Sequence, residues 1–368
     1  MKKKGKVLVG MSGGIDSSVT AALLLKQGYD VVGVYMNLWA DPTVFDLDDR
    51  KKFPQNKCCS IGSLMFARSI CQKLGIPFYS INFEEAFKEN VVDFFLEGFR
   101  EGETPNPCVR CNKTVKFGLL FKKMEELGCD FLATGHYAKL VKGRDGLVRL
   151  HRGKDSAKDQ TYFLYNLSQD KLQKIKFPLG KYSKPEVREL AQEFGLKELE
   201  DKRESQGVCF YPEKTYFEFL KRYLKPGEDF TPGEIQTTEG EVLGSHTGLP
   251  FYTIGQRKGI GVGGGPALYV NKMDSIRNVL IVGNEEGLLA HEVPVCEVNF
   301  LSGTAPAEDE ILDVRVRSLG RFSKGTLQRQ GKNYKVSFLT PERAIMPGQS
   351  VVLYRGTELV GGGIMSYG

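Results

Sequence analysis

The sequence predicts an α/β protein: a doubly wound parallel sheet, followed by a small mixed module and a C-terminal antiparallel β-barrel. Three observations carry this. Apolar runs without alternation take turns with helix-period segments from residue 6 to residue 134, the pattern of parallel strands covered on both faces by helices. After about residue 205 aromatics and Gly/Pro turns dominate, and helical spacing returns only at 216–223. From residue 278 onward short β-type runs recur at roughly ten-residue spacing between turn residues.

KVLVG at 6–10 is a short apolar strand entering a glycine-rich turn, and SSVTAALLLKQ at 17–27 places apolar residues at helical spacing. DVVGVYM at 30–36 is a second buried strand, followed by a helix over 63–74, a strand over 77–83 and a helix over 84–100. A helix over 113–127 leads into DFLAT at 130–134, a further strand. In such sheets ligands bind beyond the carboxyl ends of the strands. The runs VLIV, ILDVRVRSL, NYKVSFL and QSVVLY supply strands for a small barrel. No internal repeat or low-complexity segment interrupts the plan.

At 368 residues the chain has room for two or three domains, at about 150 residues each. No apolar stretch approaches the roughly 18 residues of a membrane span. The start, MKKKGKVLVG, lacks the long apolar region and cleavage site of a secretory signal, so the chain reads as cytoplasmic with no membrane partner. Residues 139–203 hold 16 Lys and Arg against 10 Asp and Glu, an excess of 6 that equals the net charge of the whole chain. A localised basic surface suits a polyanion, whose phosphates release counterions when lysine or arginine meets them, although a solvated lysine-rich face has the same composition.

Between the first strand and first helix stand Gly10, Met11, Ser12, Gly13, Gly14, Ile15, Asp16 and Ser17. Glycines allow successive N–H groups to curl around an anion, and the next helix aims its positive end at the same point. This is a phosphate cradle, yet it has neither the Gly-Lys-Ser/Thr of a Walker loop nor G-x-G-x-x-G. Met36 and Gly135, at two strand tips, stand where an adenosine would lie.

Eight cysteines are too few for a disulfide scaffold at this length. TPNPCVRCN at 104–112 puts Cys108 and Cys111 on a proline-rich turn opening a helix, whose N-terminus favours thiolate. Cys209 lies in the loop-like ESQGVCFYP at 204–212, while Cys71, Cys129 and Cys296 read as small buried hydrophobes. Three chemistries are open to the C-x-x-C: a zinc site, for which the adjacent Cys58 and Cys59 make poor partners; a dithiol or sulfur relay; and a three-cysteine iron-sulfur site.

The SGGIDS segment at a first strand tip resembles the pyrophosphate-loop motif of the N-type ATP pyrophosphatase superfamily. GMSGGIDSS, TPNPCVRCNKTVKF, ATGHYAK, RGKDSAKDQTYFLY, FPLGKYSKPEVRELA, ESQGVCF, TIGQRKGIG and PGQSVVLY, in this order from Val7 to Gly363, together resemble the tRNA-specific 2-thiouridylase family (MnmA). The resemblance implies a pyrophosphatase-type catalytic domain over 1–212, a central linker module over 213–280 and a tRNA-contacting barrel over 281–368. It implies ATP as cofactor, with Asp16 holding Mg²⁺ or orienting the phosphates and Ser12 and Ser17 donating to them. It implies adenylation of the C2 oxygen of the wobble uridine in the tRNA anticodon loop, then delivery of sulfur from a Cys209 persulfide with Cys111 as partner. A sulfur-relay protein or sulfide would charge Cys209. Asn106, Pro107 and Cys108 would line the target base, and His136, Lys158, Asp159, Gln160, Arg317, Ser318 and Gln349 would touch tRNA. One departure stands out: many members carry Asp at the position of Cys108. The resulting trio Cys108, Cys111 and Cys209 resembles that of thiolases holding a [4Fe-4S] cluster. Two other functions share the phosphate loop: a small-molecule ligase of the same superfamily, and a non-catalytic RNA-binding protein.

Overall fold

The computed structural model describes residues 4–44, 61–199, 207–211, 213, 215–263 and 265–367. Cys58 and Cys59 lie outside the described residues.

The first half of the chain winds β1 (Lys6–Gly10), α1 (Ile15–Lys26), β2 (Asp30–Asn37), α2 (Ile61–Lys73) and β3 (Phe78–Asn82). A helix, α3, runs through Glu84–Phe87, a π-helical Lys88–Asp93 and Phe94–Arg100. The next, α4, joins Pro107–Cys111, a π-helical Asn112–Leu119 and Leu120–Glu126, and leads to β4 (Phe131–Ala133). Then come a hairpin of β5 (Ala138–Lys142) and β6 (Val148–Arg152), α5 (Gln169–Lys174), β7 (Ile175–Lys176) and α6 (Lys184–Glu193). The sheet order is β3-β2-β1-β4-β7, all parallel.

Strand alternation divides the apolar residues between two layers. Val7, Val9, Val31 and Tyr35 pack with α1, α2 and α6, through residues such as Val19, Ile70 and Val187. Leu8, Val32 and Val34 face α3 and α4, through Phe87, Val91, Phe95, Val115 and Leu120. Successive strands leave β1 on one side and β4 sits on the other, so the crevice between the tips of β1 and β4 is the switch point where such a sheet receives a ligand.

Beyond α7 (Phe217–Tyr223), β8 (Gly233–Thr237), β9 (Val242–His246), β10 (Tyr269–Asp274) and β11 (Val279–Gly283) form a mixed sheet of order β10-β11-β8-β9. The run VLIV, grouped by its composition with the barrel strands, is β11 and pairs with β10 and β8 instead. Short apolar strands are alike in sequence, and pairing decides their sheet. The barrel proper consists of β12 (Leu289–Phe300), β13 (Leu312–Arg315), β14 (Ser323–Gln330), β15 (Asn333–Arg343), β16 (Ser350–Arg355) and β17 (Glu358–Met365). All six pair antiparallel, and β12 with β17 closes the ring. Sequence periodicity did not reveal the β5–β6 hairpin, which joins the barrel by pairing Glu358 with His151 and Leu359 with Leu150. Among the described residues no helix is long and apolar enough to cross a membrane.

Candidate active site

The predicted cradle forms at the tip of β1. Helix α1 begins at Ile15 with Gly14 as N-cap, two residues earlier than the spacing indicated, so Asp16 and Ser17 belong to its first turn. Gly13 has φ 72°, and a Cβ there would lie 2.7 Å from the Ser63 carbonyl oxygen. Only glycine suits both constraints. The loop is braced from within: the Ser17 hydroxyl donates to the Gly14 carbonyl at 3.1 Å and accepts from the Ser12 amide at 3.2 Å. Gly135 permits the closest approach of the β4 tip to α1, since a Cβ would stand 2.9 Å from Asp16 Cβ and 3.0 Å from its carbonyl carbon.

Asp16 is not an isolated carboxylate. Lys184 Nζ donates to its Oδ1 at 2.8 Å and to its Oδ2 at 2.9 Å, and the Tyr137 hydroxyl donates to Oδ1 at 2.8 Å. Lys184 lies in the quoted FPLGKYSKPEVRELA segment and Tyr137 in ATGHYAK, yet spacing alone singled out neither.

In the TPNPC turn Asn106 caps α4, its side chain accepting from the Val109 amide at 3.2 Å, with Pro107 at the first helical position. The helix therefore starts well before residue 113, and Cys108 and Cys111 lie one turn apart in its opening rather than on a preceding turn. Cys108 is half-buried and Cys111 buried. Cys209 follows Gly207, whose φ is 83°, and is held by buried Phe210, whose ring packs 5.3 Å from Phe95 and 6.1 Å from Phe87. Burial above all pushes the Tyr211 hydroxyl up. Burial pushes Cys71 up to about 12 and raises Cys129 and Cys296, as expected of structural thiols.

These parts open into one cavity of about 340 Å³. Gly10, Met11, Ser12, Asp16 and Ser17 line it together with Met36 and Gly135 at the strand tips and with Pro107, Cys108, Cys111 and Cys209. His136 and Gln160 line it too, as does Lys116, a cation that the sequence reading did not select; Gly13, Gly14, Ile15, Asn106, Lys158, Asp159, Arg317, Ser318 and Gln349 are not among its lining residues.

The comparisons with known proteins agree along the chain. Family models match as a tRNA methyl transferase HUP domain over residues 5–213, a tRNA methyl transferase PRC-barrel domain over 217–284 and an aminomethyltransferase beta-barrel domain over 290–365. The tRNA-specific 2-thiouridylase MnmA of Carboxydothermus hydrogenoformans is 46% identical over 97% of this chain and 96% of its own length. Those of Clostridioides difficile and Geobacter metallireducens are 42% and 45% identical, each over 98% of this chain and 98% and 97% of theirs. The chain belongs to the tRNA-specific 2-thiouridylase family.

Of the RNA-contacting positions that 2-thiouridylase membership suggests, several have structural duties. His136 is buried between Phe117 and Phe177, and its Nδ1 lies 2.7 Å from the Thr134 hydroxyl. Desolvation, aided by Lys116, holds it well below 6.5, so it is neutral at physiological pH. Asp159 corrects the expectation of a direct RNA contact: its side chain is 1% exposed and accepts from Arg152 Nε at 3.0 Å, Arg315 Nη1 at 3.1 Å and the Thr161 hydroxyl at 2.6 Å. Its carboxylate is spent inside the protein. Gln160 Oε1 accepts from the Tyr137 amide at 3.0 Å, and Gln349 Nε2 donates to the Thr104 carbonyl at 2.8 Å, pinning the cysteine turn to the barrel. Lys158, Arg317 and Ser318 are partly exposed on the hairpin and barrel side. Arg317 also donates to the Arg343 carbonyl at 2.5 Å.

Two bound groups can be tested against these residues. A magnesium ion at Asp16 would have to share a carboxylate whose two oxygens already accept from Lys184. An iron-sulfur cluster needs three thiolates gathered around it. Cys108, Cys111 and Cys209 share a cavity, but among the described residues no three metal-binding side chains are gathered as a ligand set.

Proposed function

We propose that this chain thiolates C2 of the wobble uridine in tRNA, in the cytoplasm, with ATP as the activating nucleotide. The observation that carries the reading is that the glycine-rich loop after β1 and three cysteines from two segments far apart in sequence line one cavity. A small-molecule ligase needs no thiols opposite its nucleotide, and a non-catalytic RNA-binding protein needs neither.

The uridine O2 attacks the α-phosphorus of ATP, N3 gives up its proton, and the bond to the β-phosphate breaks with its electron pair leaving on pyrophosphate. C2 then carries AMP as a leaving group in place of a carbonyl oxygen that water or sulfur cannot expel. The terminal sulfur of a Cys209 persulfide adds to C2 and AMP departs with the C2–O electron pair. Cys111 thiolate attacks the Cys209 sulfur, breaking the sulfur–sulfur bond so that its electron pair stays on the transferred sulfur. The products are 2-thiouridine, with N3 reprotonated, and a Cys111–Cys209 disulfide. The sulfane sulfur is reduced by two electrons and the two thiols are oxidised by two. A sulfur-relay protein or sulfide with an oxidant recharges the site, and an external thiol reduces the disulfide.

The base enters from a single-stranded loop, where leaving the stack costs little. Asn106 and Pro107 set the turn against which it rests, and Cys108 stands beside them. No step passes through magnesium at Asp16 or through a cluster. The deciding experiment is thiolation of unmodified tRNA by wild type and by the Cys108→Ala, Cys111→Ala and Cys209→Ala variants, with and without oxygen. Loss of product in the Cys111 and Cys209 variants, with tRNA-dependent pyrophosphate release retained, supports the scheme. Full activity of Cys209→Ala defeats it, and activity that tracks bound iron would favour the cluster route over the persulfide.

A further inference from the structure

Between the exit of β2 and the Cys209 segment lies a buried ion cluster that the reaction scheme does not use. Asp41, four residues past the end of β2, is 2% exposed. Its Oδ1 accepts from the Thr43 amide at 2.9 Å, the Thr43 hydroxyl at 2.6 Å and the Tyr223 hydroxyl at 2.5 Å. Its Oδ2 accepts from Arg222 Nε at 3.2 Å and Nη2 at 2.8 Å. The remaining arm of the same guanidinium, Nη1, donates to Glu213 Oε1. One planar fork on α7 thus joins two chain segments that both reach the cavity: Leu38 lines it three residues before Asp41, and Cys209 lines it four residues before Glu213.

The cluster is a poor device for stability alone. Buried ion pairs recover little net energy over well-packed apolar residues of similar volume. Glu213 Oε2 is buried and has no hydrogen-bond partner among the described residues, which opposes folding. Apolar packing is already dense at this point: Trp39 meets Phe219 at 6.3 Å and Tyr223 at 5.9 Å, and Phe210 meets Phe219 at 5.2 Å. What such packing does not supply is direction. Residues 207–211 belong to no helix or strand, so neither helix nor sheet geometry sets where Cys209 stands. A guanidinium fork with fixed donor geometry does.

We propose that Glu213, held by Arg222 from the buried Asp41, is the positioning residue that keeps Cys209 at the cavity. The cluster ties the cysteine segment to the strand whose tip carries Met36. The cradle between β1 and α1 stands on other elements, so loss of the tether falls on sulfur transfer and spares adenylation. This rests on the reading of Cys209 as the sulfur carrier, but the placement of its thiol is measured without tRNA, ATP or sulfur, so the two can fail separately.

The test compares wild type with Glu213→Ala, Glu213→Gln and Arg222→Met, each checked by thermal melting. Glu213→Ala cuts only the arm to the cysteine segment and leaves Arg222 paired with Asp41, so it decides the matter if Arg222→Met does not fold. Iodoacetamide labelling is followed by peptide mass spectrometry at Cys209 and, as a control for general loosening, at the buried Cys129. Labelling of Cys209 should rise at least fivefold in Glu213→Ala and less than twofold in Glu213→Gln, which keeps an acceptor for Arg222, with Cys129 unchanged. Single-turnover thiolation of unmodified tRNA should fall at least tenfold in Glu213→Ala while tRNA-dependent pyrophosphate release stays within twofold. Labelling of Cys209 that is unchanged, or that rises equally at Cys129, overturns the proposal. So does thiolation by Glu213→Ala at the wild-type rate, or a loss matched by pyrophosphate release. The expected labelling pattern in a wild type that never thiolates tRNA would count for the tether and against the reaction scheme.

Discussion

His136 shows how a polar side chain lining the cavity becomes part of the packing. Its neutral form is favoured by burial, so the folded protein binds fewer protons than the unfolded chain once pH falls below the unfolded value near 6.5. Stability is then fully present above pH 6.5 and is lost as pH falls toward the lower folded value. His246, also lowered by burial, acts in the same direction. Urea midpoints measured from pH 7.5 to 5.5 should decline on acidification, and His136→Asn should flatten the decline without abolishing it; an unchanged slope would contradict the assignment. Gly135 makes the complementary case for a missing side chain. A methyl group there meets Asp16 and the α1 backbone, so Gly135→Ala should cost about 1–3 kcal/mol by overpacking. It should also weaken ATP binding, because Asp16 and the cradle move together. Denaturant unfolding and nucleotide titration check the two effects.

At the scale of elements, the opening of α4 carries Cys108 and Cys111 on a helix fixed from three sides. Asn106 caps it, Arg110 Nε donates to the Asn90 carbonyl at 3.2 Å on α3, and Gln349 with Pro347 grips Thr104 from the barrel. Gly348, with φ 86°, lets the barrel turn press against Glu103 and Thr104, where a Cβ would come within 3.0 Å. Asn106→Ala should lower stability by about 1 kcal/mol through the lost cap. In denaturant melts and single-turnover assays it should slow sulfur transfer more than pyrophosphate release, because the cradle is on another element. A uniform loss in both steps would show that the cap serves the whole site instead.

At the scale of the molecule, the hairpin and Asp159 join domains that the chain order leaves far apart. Asp159 binds Arg152 of β6 and Arg315 of β13 at once, and Arg315 Nε donates to the Gly320 carbonyl at 2.9 Å, steadying the loop that carries Arg317 and Ser318. Phe322 covers both guanidinium groups at 4.9 and 4.8 Å from its ring centre. Removing the carboxylate leaves two largely buried cations unpaired, a loss of about 3–5 kcal/mol. Asp159→Ala should therefore unfold at lower denaturant and bind tRNA more weakly with ATP affinity unchanged. If tRNA affinity holds while stability falls, the clasp has no part in presenting the RNA surface.

What could be read from the chain alone was whatever local periodicity and short motifs encode. The parallel strands, the glycine cradle, the C-x-x-C turn and the family resemblance all rest on residues close together in sequence, whose backbone needs are local. Tertiary structure alone decided the rest. VLIV joined the middle sheet because pairing, not composition, selects its neighbours. Asp159 turned inward because two arginines from separate strands converge on it. Lys184 came to Asp16 because α6 packs beside α1 on one face of the sheet. Contacts of long sequence separation leave no periodic trace, so side chains whose roles depend on such partners become legible only when the chain is folded.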